Sequence, residues 1–394
     1  MTDTSASTTS QDLNDLAKAV SCEDFLHSKI RSANTISFST FMADALYHET
    51  HGYYASESPR VGKKGDFMTS VSVGNVFGTI LARRILEYWK QLNKPEDFCI
   101  VEMGANNAEL CIDIVEELSH TTLADSFCYH IIEPQKQLRK KQQQALSQAQ
   151  RKVVTIHQSI EAIGQTVGVF LSNELFDAFP VERIRYSDKK WHQLHVSSDG
   201  ESFHEVWQPI LVSTELHTFV DSLGTDFPDG YTTEYCPDVS DFLNPINTLL
   251  TTGLVITIDY GFPRSHFYDP SRIDGTLQTY YQHQKTNNPY RLIGEQDITA
   301  HVNFTQLASL FQHLGFKLFD FSPQHRYLTS HGKEWLIGLE KNFNAESVEF
   351  IKQFQTLTHP SMLGQHFHVL EMTKNSDLVA LPTTPRPNEV LELP

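Results

Sequence analysis

Cysteine is scarce. Cys22, Cys99, Cys111, Cys128 and Cys236 are the five in the chain, and none forms a Cys-x-x-Cys pair. That excludes a disulfide framework or a zinc-knuckle pattern and predicts buried thiols in a reducing compartment. Basic residues are outnumbered, 31 Lys and Arg against 48 Asp and Glu, for a formal charge of −17. A phosphate backbone needs a basic face, so nucleic acid is not expected as a partner. A cationic ligand or a basic protein segment suits the charge better. No apolar run approaches membrane-spanning length, so no membrane insertion is expected. There is no Gly-x-Ser-x-Gly elbow and no Walker loop. His48-Glu49-Thr50-His51 is one residue short of zinc-protease spacing, and no metal is expected there. In residues 1–20 Lys18 is the only basic side chain. This predicts neither a secretory signal nor a mitochondrial presequence, hence a bacterial-type cytoplasmic protein and not one of the mitochondrial matrix.

What is present centres on Phe98-Cys99-Ile100-Val101-Glu102-Met103-Gly104-Ala105-Asn106-Asn107-Ala108-Glu109-Leu110. It reads as a buried strand, a small-residue turn and the start of a helix. Small residues let backbone N–H groups approach a ligand, and the helix offers its positive end. Further on, Tyr129-His130-Ile131-Ile132-Glu133-Pro134 reads as a second strand ending in an acid. A carboxylate there can accept hydrogen bonds from ribose hydroxyls, so turn and acid together point to an adenosine-containing cofactor. Asn106 and Glu109 stand where a dinucleotide fingerprint needs glycine, which disfavours a pyrophosphate. S-adenosylmethionine has no phosphate and tolerates the looser turn.

The remaining pattern predicts an α/β fold. Residues 1–20 read as disordered, and 21–95 as a helical cap contributing to the cofactor site. The cap has a helical pattern from Glu23 to Tyr47, with Ser39 or Thr40 as N-cap within it, and a long helix from Val73 to Leu92. Residues 96–185 alternate strands (98–103, 128–132, 153–156, 167–172) with helices near 108–119 and 135–149, which implies a parallel sheet. Residues 186–240 read as an antiparallel β insertion carrying substrate specificity. Residues 241–375 return to the sheet and include a long loop at 262–300. Residues 376–394 read as a loose, proline-rich tail.

Polar residues recur where strands end: Gly104 to Glu109, Glu133, Asn173-Glu174 with Asp177, and Asp259-Tyr260. Ligands of open α/β sheets bind beyond those ends. Paired carboxylates suit a cationic nucleophile, which they orient and deprotonate. The plainer alternative for Glu174 and Asp177 is a helix N-terminus with acids on its first turn.

Several ordered segments resemble the MidA-like family of class I S-adenosylmethionine-dependent methyltransferases. They are Met42 to Leu46, Gly52-Tyr53-Tyr54, Gly65-Asp66-Phe67 with Thr69-Ser70, Phe77-Gly78, Ser172 to Val181, Ile258 to Gly261, Asp274 to Leu277 and Asp297 to Phe304. Mitochondrial members of that family are complex I assembly factors that methylate arginine on a complex I subunit. The resemblance implies a class I methyltransferase, Rossmann-like mostly parallel sheet with a helical amino-terminal extension and an antiparallel β insertion. It also implies S-adenosyl-L-methionine as cofactor and a protein substrate, possibly a respiratory-chain subunit. The expected cofactor contacts are Asp66, Thr69, Glu102, Gly104, Ala105, Asn106, Glu133 and Asn173. Glu174 is the expected orienter and proton acceptor, with Asp177 second and Asn173 beside them. Asp259, Tyr260 and His301 are expected to wall the substrate. The family's cofactor loop, Glu-Leu-Gly-Pro-Gly-Arg-Gly, is altered: two glycines are Asn106 and Ala108. Asn accepts a positive φ and Ala does so poorly. A non-catalytic assembly factor with this fold is the alternative that this change favours, and a nicotinamide oxidoreductase is the more distant one.

Overall fold

Apolar runs too uniform to alternate make the centre of the molecule, as buried parallel strands require. The computed structural model describes residues 21–55, 69–282, 284–376, 383–384 and 386–393. The expectation of a disordered 1–20 lies outside them, as does Asp66. The chain forms two compact units. One comprises Met1–Ser58, Ala178–Asp238 and Tyr268–Ala300, and the other Pro59–Asp177, Val239–Phe267 and His301–Pro394.

The second unit holds an eight-stranded sheet: β1 (Phe98–Met103), β2 (Phe127–Ile132), β3 (Val154–His157), β4 (Thr166–Asn173), β5 (Leu250–Phe262), β6 (Val302–Asn303), β7 (Lys317–Pro323) and β8 (Phe367–Lys374). The order is β7-β8-β5-β4-β1-β2-β3, with the short β6 on β5. Strands β1 to β5 pair in parallel. β8 is antiparallel to both of its neighbours. The chain moves outward from β1 to β3 and then returns to β4 on the other side of β1. That reversal opens a crevice at the carboxyl ends of β1 and β4, the usual ligand position in such sheets.

One face of the sheet is covered by helices Val76–Gln91 and Glu109–Ser119. Phe77, Ile80, Leu81, Ile85 and Tyr88 recur at the three-and-four spacing of a helical stripe and pack with Ile100, Tyr129, Val169 and Ile256. Each such buried side chain contributes roughly 1.5–3 kcal/mol. Arg84 sits in the same stripe. It is buried because Glu371 of β8 receives its Nε and Nη2 at 2.8 Å each, and Tyr327 donates to Glu371 at 2.7 Å. Three α-helices, Gln324–His331, Lys333–Lys341 and Ala345–Thr358, and the short π-helical turn Pro360–Gly364 connect β7 to β8.

Where it is described, the expected loose tail is anchored. Thr384 N–H donates to Asp320 at 2.9 Å, and Leu391 is fully buried behind the short helix Pro387–Val390.

In the other unit, Ile36–Ser37, Glu182–Ser187, Lys190–Ser198, Phe203–Pro209 and Thr232–Tyr235 form a five-stranded antiparallel sheet. The helical pattern at 23–47 is broken into Cys22–Ala33 and Phe38–Tyr47, because Asn34 turns to φ 66° and residues 36–37 are drawn into the sheet. The N-cap of the second helix is Ser37, which accepts Thr40 N–H at 3.2 Å, not Ser39 or Thr40. The stretch 262–300 is not one loop. It holds a short helix, Arg264–Phe267, and a three-stranded antiparallel sheet of Gln278–Tyr281, Gln284–Thr286 and Asp297–Thr299.

The cysteine expectation also needs correction. Cys99 and Cys128 are register partners on β1 and β2 and are joined by a disulfide, their Cα atoms 4.9 Å apart. Cys22 and Cys111 are buried thiols outside the disulfide, as expected, and Cys236 is half-buried, its thiol donating to the Pro180 carbonyl at 3.5 Å.

Candidate active site

The turn after β1 is built from left-handed residues. Gly104 has φ 82°, Asn106 44° and Ala108 67°. The φ of 82° favours glycine, and a Cβ on Gly104 would press on the Leu175 side chain at 3.3 Å. The turn closes through Ala108 N–H to the Ala105 carbonyl at 2.7 Å. The altered loop therefore keeps its positive-φ backbone without two of the family's glycines. Ala108 bears the cost, of order 1–2 kcal/mol for a residue with a Cβ in this region. Helix Glu109–Ser119 begins here with no side-chain hydrogen bond at its N-cap, Ala108.

Two acids support the turn from different depths. Glu102 lies below it, 2 % exposed, and accepts the Tyr129 hydroxyl at 2.7 Å. Burial pushes its carboxyl up to about 7, against the pull of that hydroxyl. Glu133 stands just past β2, accepting Gln135 N–H at 2.7 Å. Burial raises it to about 7 as well, offset in part by Gln135, Arg139 and Gln142. Gln142 was not foreseen. It is the one buried residue of the polar helix Lys136–Ala145, and its Nε2 donates to the Asn106 carbonyl at 2.9 Å. Its side chain also hydrogen-bonds Glu133, so it ties that acid to the turn. Nothing in the run Gln142-Gln143-Gln144 distinguishes the first from the others.

β4 ends in Asn173, and Glu174 follows it. Asn173 Nδ2 donates to Glu174 Oε1 at 3.0 Å, and Asn173 Oδ1 is buried without a hydrogen-bond partner among the described residues. Glu174 sits at φ 50°, held there by its N–H to the Ile258 carbonyl at 2.9 Å. A left-handed glutamate at a strand end is strain of the kind that collects at functional sites.

Asp259, expected as a substrate contact, is instead fully buried and committed to backbone. Its Oδ2 accepts the N–H groups of Leu175, Phe176 and Asp177 at 3.2, 2.9 and 3.4 Å, and Oδ1 accepts Tyr260 N–H at 2.9 Å. Burial pushes its carboxyl upward, the Phe176 N–H opposes this, and the Glu174 carboxylate adds to it. Its work is to fold residues 175–177 back beneath Glu174. Asp177 is buried in the short turn Phe176–Ala178. Tyr260 lies on Phe367 with ring centres 4.0 Å apart, and His301 stacks on Phe262 at 5.1 Å and meets Tyr260 edge-on at 6.3 Å. Thr69 is buried in its own turn, where its Oγ1 accepts Ser72 N–H at 3.2 Å. Asp66 lies outside the described residues.

A family model described as S-adenosyl-L-methionine-dependent methyltransferase matches residues 80–322. The chain belongs to this family. It is an S-adenosyl-L-methionine-dependent methyltransferase, and its sheet is the class I methyltransferase fold, as the motifs implied. A crystal structure of a COG1565 superfamily member from Burkholderia thailandensis, bound to S-adenosyl-homocysteine, superposes with a TM-score of 0.84 at 25% identity, covering 96% of this chain and 97% of that one. The protein arginine methyltransferase NDUFAF7 homolog of Drosophila melanogaster is 25% identical over 88% of this chain and 83% of its own length. The human protein arginine methyltransferase NDUFAF7 is 23% identical over 89% of this chain and 82% of its own length. These relatives are named mitochondrial, which overturns the cytoplasmic, bacterial-type expectation. That expectation rested on the composition of residues 1–20, a property that does not decide a compartment. The nicotinamide and scaffold alternatives give way to the methyltransferase.

The site's own features fit the cofactor: an uncapped helix start, a turn kept free of side-chain bulk at Gly104, an acid past β2, and the unmatched Asn173 Oδ1.

Proposed function

We propose that this methyltransferase acts on an arginine side chain of a protein substrate. The turn Gly104 to Ala108 (with Ala105 and Asn106), Glu133 and Asn173 would hold the cofactor, and Glu174 would orient the guanidinium and take its proton. The single observation that carries this reading is Glu174 at φ 50°, placed at the end of β4 with its Oε1 held by Asn173.

Bound beside the turn, S-adenosylmethionine supplies a methyl group on a positively charged sulfur. The rest falls to the chain. Glu133 accepts hydroxyl hydrogen bonds, and Asn173 Oδ1 offers an acceptor to a donor of the ligand. Glu102 acts from beneath, bracing Tyr129 and the end of β1. A guanidinium has a pKa above ~12 and is a poor nucleophile while it keeps its proton. A carboxylate aligned on one of its N–H groups localises the lone pair on the attacking nitrogen and receives the proton as the new N–C bond forms. Asn173 fixes that carboxylate, and Asp177 adds negative charge close by. Tyr260 and His301 offer flat faces that can exclude water from the approach. Thr69, with Asp66, is assigned to the methionine end. The acidic balance of the chain favours a basic protein segment as the target, and the sequence resemblance makes a respiratory-chain subunit the first candidate.

Incubating the purified chain with an organelle or cell lysate and an isotopically labelled methyl donor tests the reading. Mass spectrometry should find label on arginine. Glu174→Gln should abolish most of it while calorimetric binding of S-adenosylmethionine stays near the parental value. Label on lysine or a carboxylate, or a Glu174→Gln variant as fast as the parent, would refute the assignment.

A further inference from the structure

On the sheet, away from the cofactor turn, four side chains with metal-binding atoms come together. Cys99 is the second residue of β1 and Cys128 the second of β2, and the two are opposite each other in parallel register. His130 lies two residues beyond Cys128 and so shares its face. Its Nε2 is 3.4 Å from the Cys128 sulfur and 3.9 Å from the Cys99 sulfur. Its Nδ1 is 3.0 Å from Nε2 of His157 at the end of β3. All four residues are half-buried, so the group is reachable. Cys99, Cys128 and His130 bring one ligand atom each within 4.8 Å of one another. Among the described residues no other group of three His, Cys, Asp or Glu does so.

We propose that, once the Cys99–Cys128 disulfide is reduced, Cys99, Cys128 and His130 bind a thiophilic divalent cation such as Zn²⁺, with His157 orienting the His130 ring. Two thiolates and an imidazole are a borderline-soft donor set that prefers zinc over magnesium or calcium, and they leave a fourth tetrahedral position open. A ligating imidazole ordinarily has its other nitrogen held by a neighbour, the place His157 occupies. Gly168, the register partner of Cys99 on β4, contributes no side chain to this face. The site is separate from the reaction centre: Cys99 is five residues before Gly104, about 16 Å along a strand. The inference stands apart from the arginine assignment.

The chemistry balances. A dithiol reductant gives two electrons and two protons to the Cys99–Cys128 bond and leaves as its own disulfide. The two thiols then lose two protons to solvent as Zn²⁺ binds. In the reverse direction hydrogen peroxide takes two electrons from the two thiolates, with two protons gives two waters, and the sulfur–sulfur bond reforms as Zn²⁺ departs. Disulfide and metal site are thus two states of one pair of strands.

Cobalt substitution tests this without reference to activity. The full chain, reduced with a phosphine and desalted without oxygen, is titrated with Co²⁺ and followed by absorbance. The expected result is one equivalent bound, with a near-ultraviolet thiolate-to-cobalt band that Zn²⁺ bleaches. The band should be absent from the oxidised chain and from Cys99→Ser, and His157→Gln should weaken binding about tenfold or more. Absence of the band in the reduced parent, or its persistence in Cys99→Ser, overturns the proposal. Should Cys99→Ser not fold, alkylation of the reduced parent decides. Zn²⁺ should shield Cys99 and Cys128 but not the half-buried Cys236, and equal labelling of Cys99 and Cys128 with and without Zn²⁺ overturns the site.

Discussion

The Phe176 N–H donates to the Asp259 carboxylate at 2.9 Å, and that bond joins the end of β5 to the turn that follows β4. Because the same carboxylate also receives Leu175 and Asp177, removing it leaves several buried N–H groups unmatched. Each costs roughly 1–3 kcal/mol when unsatisfied. Asp259→Ala should therefore lower stability by several kcal/mol in urea melts. Asp259→Asn, which keeps one acceptor, should fall by less but still slow methyl transfer at least about tenfold by loosening Glu174. An Asn variant with parental turnover would show that the knot does not position Glu174.

The left-handed Ala108 gives a prediction of opposite sign. Ala108→Gly removes a Cβ from φ 67° and should stabilise the turn by about 1 kcal/mol or slightly more. If the turn holds the cofactor, calorimetric affinity for S-adenosylmethionine should rise up to about tenfold. Weaker binding would mean the alanine methyl is itself a cofactor contact.

Glu102 makes stability depend on pH. In the unfolded chain its carboxyl titrates near ~4.3, while burial holds it at about 7 in the folded protein. Between those values the folded state keeps a proton that the unfolded state has lost, so stability falls as pH rises through that window. Glu102→Gln, which still accepts the Tyr129 hydroxyl, should match the parent at about pH 4 and below. By pH 8 it should exceed the parent by up to roughly 3 kcal/mol. Parallel pH profiles in chemical denaturation would remove Glu102 as the source.

Arg84 and Glu371 form a doubly hydrogen-bonded ion pair inside the core, 1 % and 0 % exposed at their side chains. Arg84→Met strands a buried carboxylate and should cost about 3–5 kcal/mol. Replacing both with apolar residues should recover most of that loss. If the double variant is as unstable as the single one, the pair contributes more than mutual neutralisation.

The strands of the central sheet were legible because a strand buried on both faces is an unbroken apolar run, as in Val169-Phe170-Leu171 and Leu254-Val255-Ile256. The turn at Gly104 and the acid at 133 were legible from local composition. Asp259 was read as a ligand group, because an acid at a strand end looks the same whether it faces solvent or binds backbone N–H groups 82 to 84 positions away. The same blindness to distance hid Arg84 with Glu371, 287 positions apart, and Cys99 with Cys128, 29 apart. Local pattern fixes which residues are buried. It does not say which buried polar groups meet.

β8 slots between β5 and β7 although it follows both in the chain. A nascent polypeptide therefore reaches the ribosome exit with β5 and β7 already made and no neighbour to zip them together. Until Phe367–Lys374 emerges, the edge of β5 is an open invitation to another strand. A stop codon before residue 367 would thus not trim the molecule but split its central sheet, and the product should be found in aggregates and with chaperones.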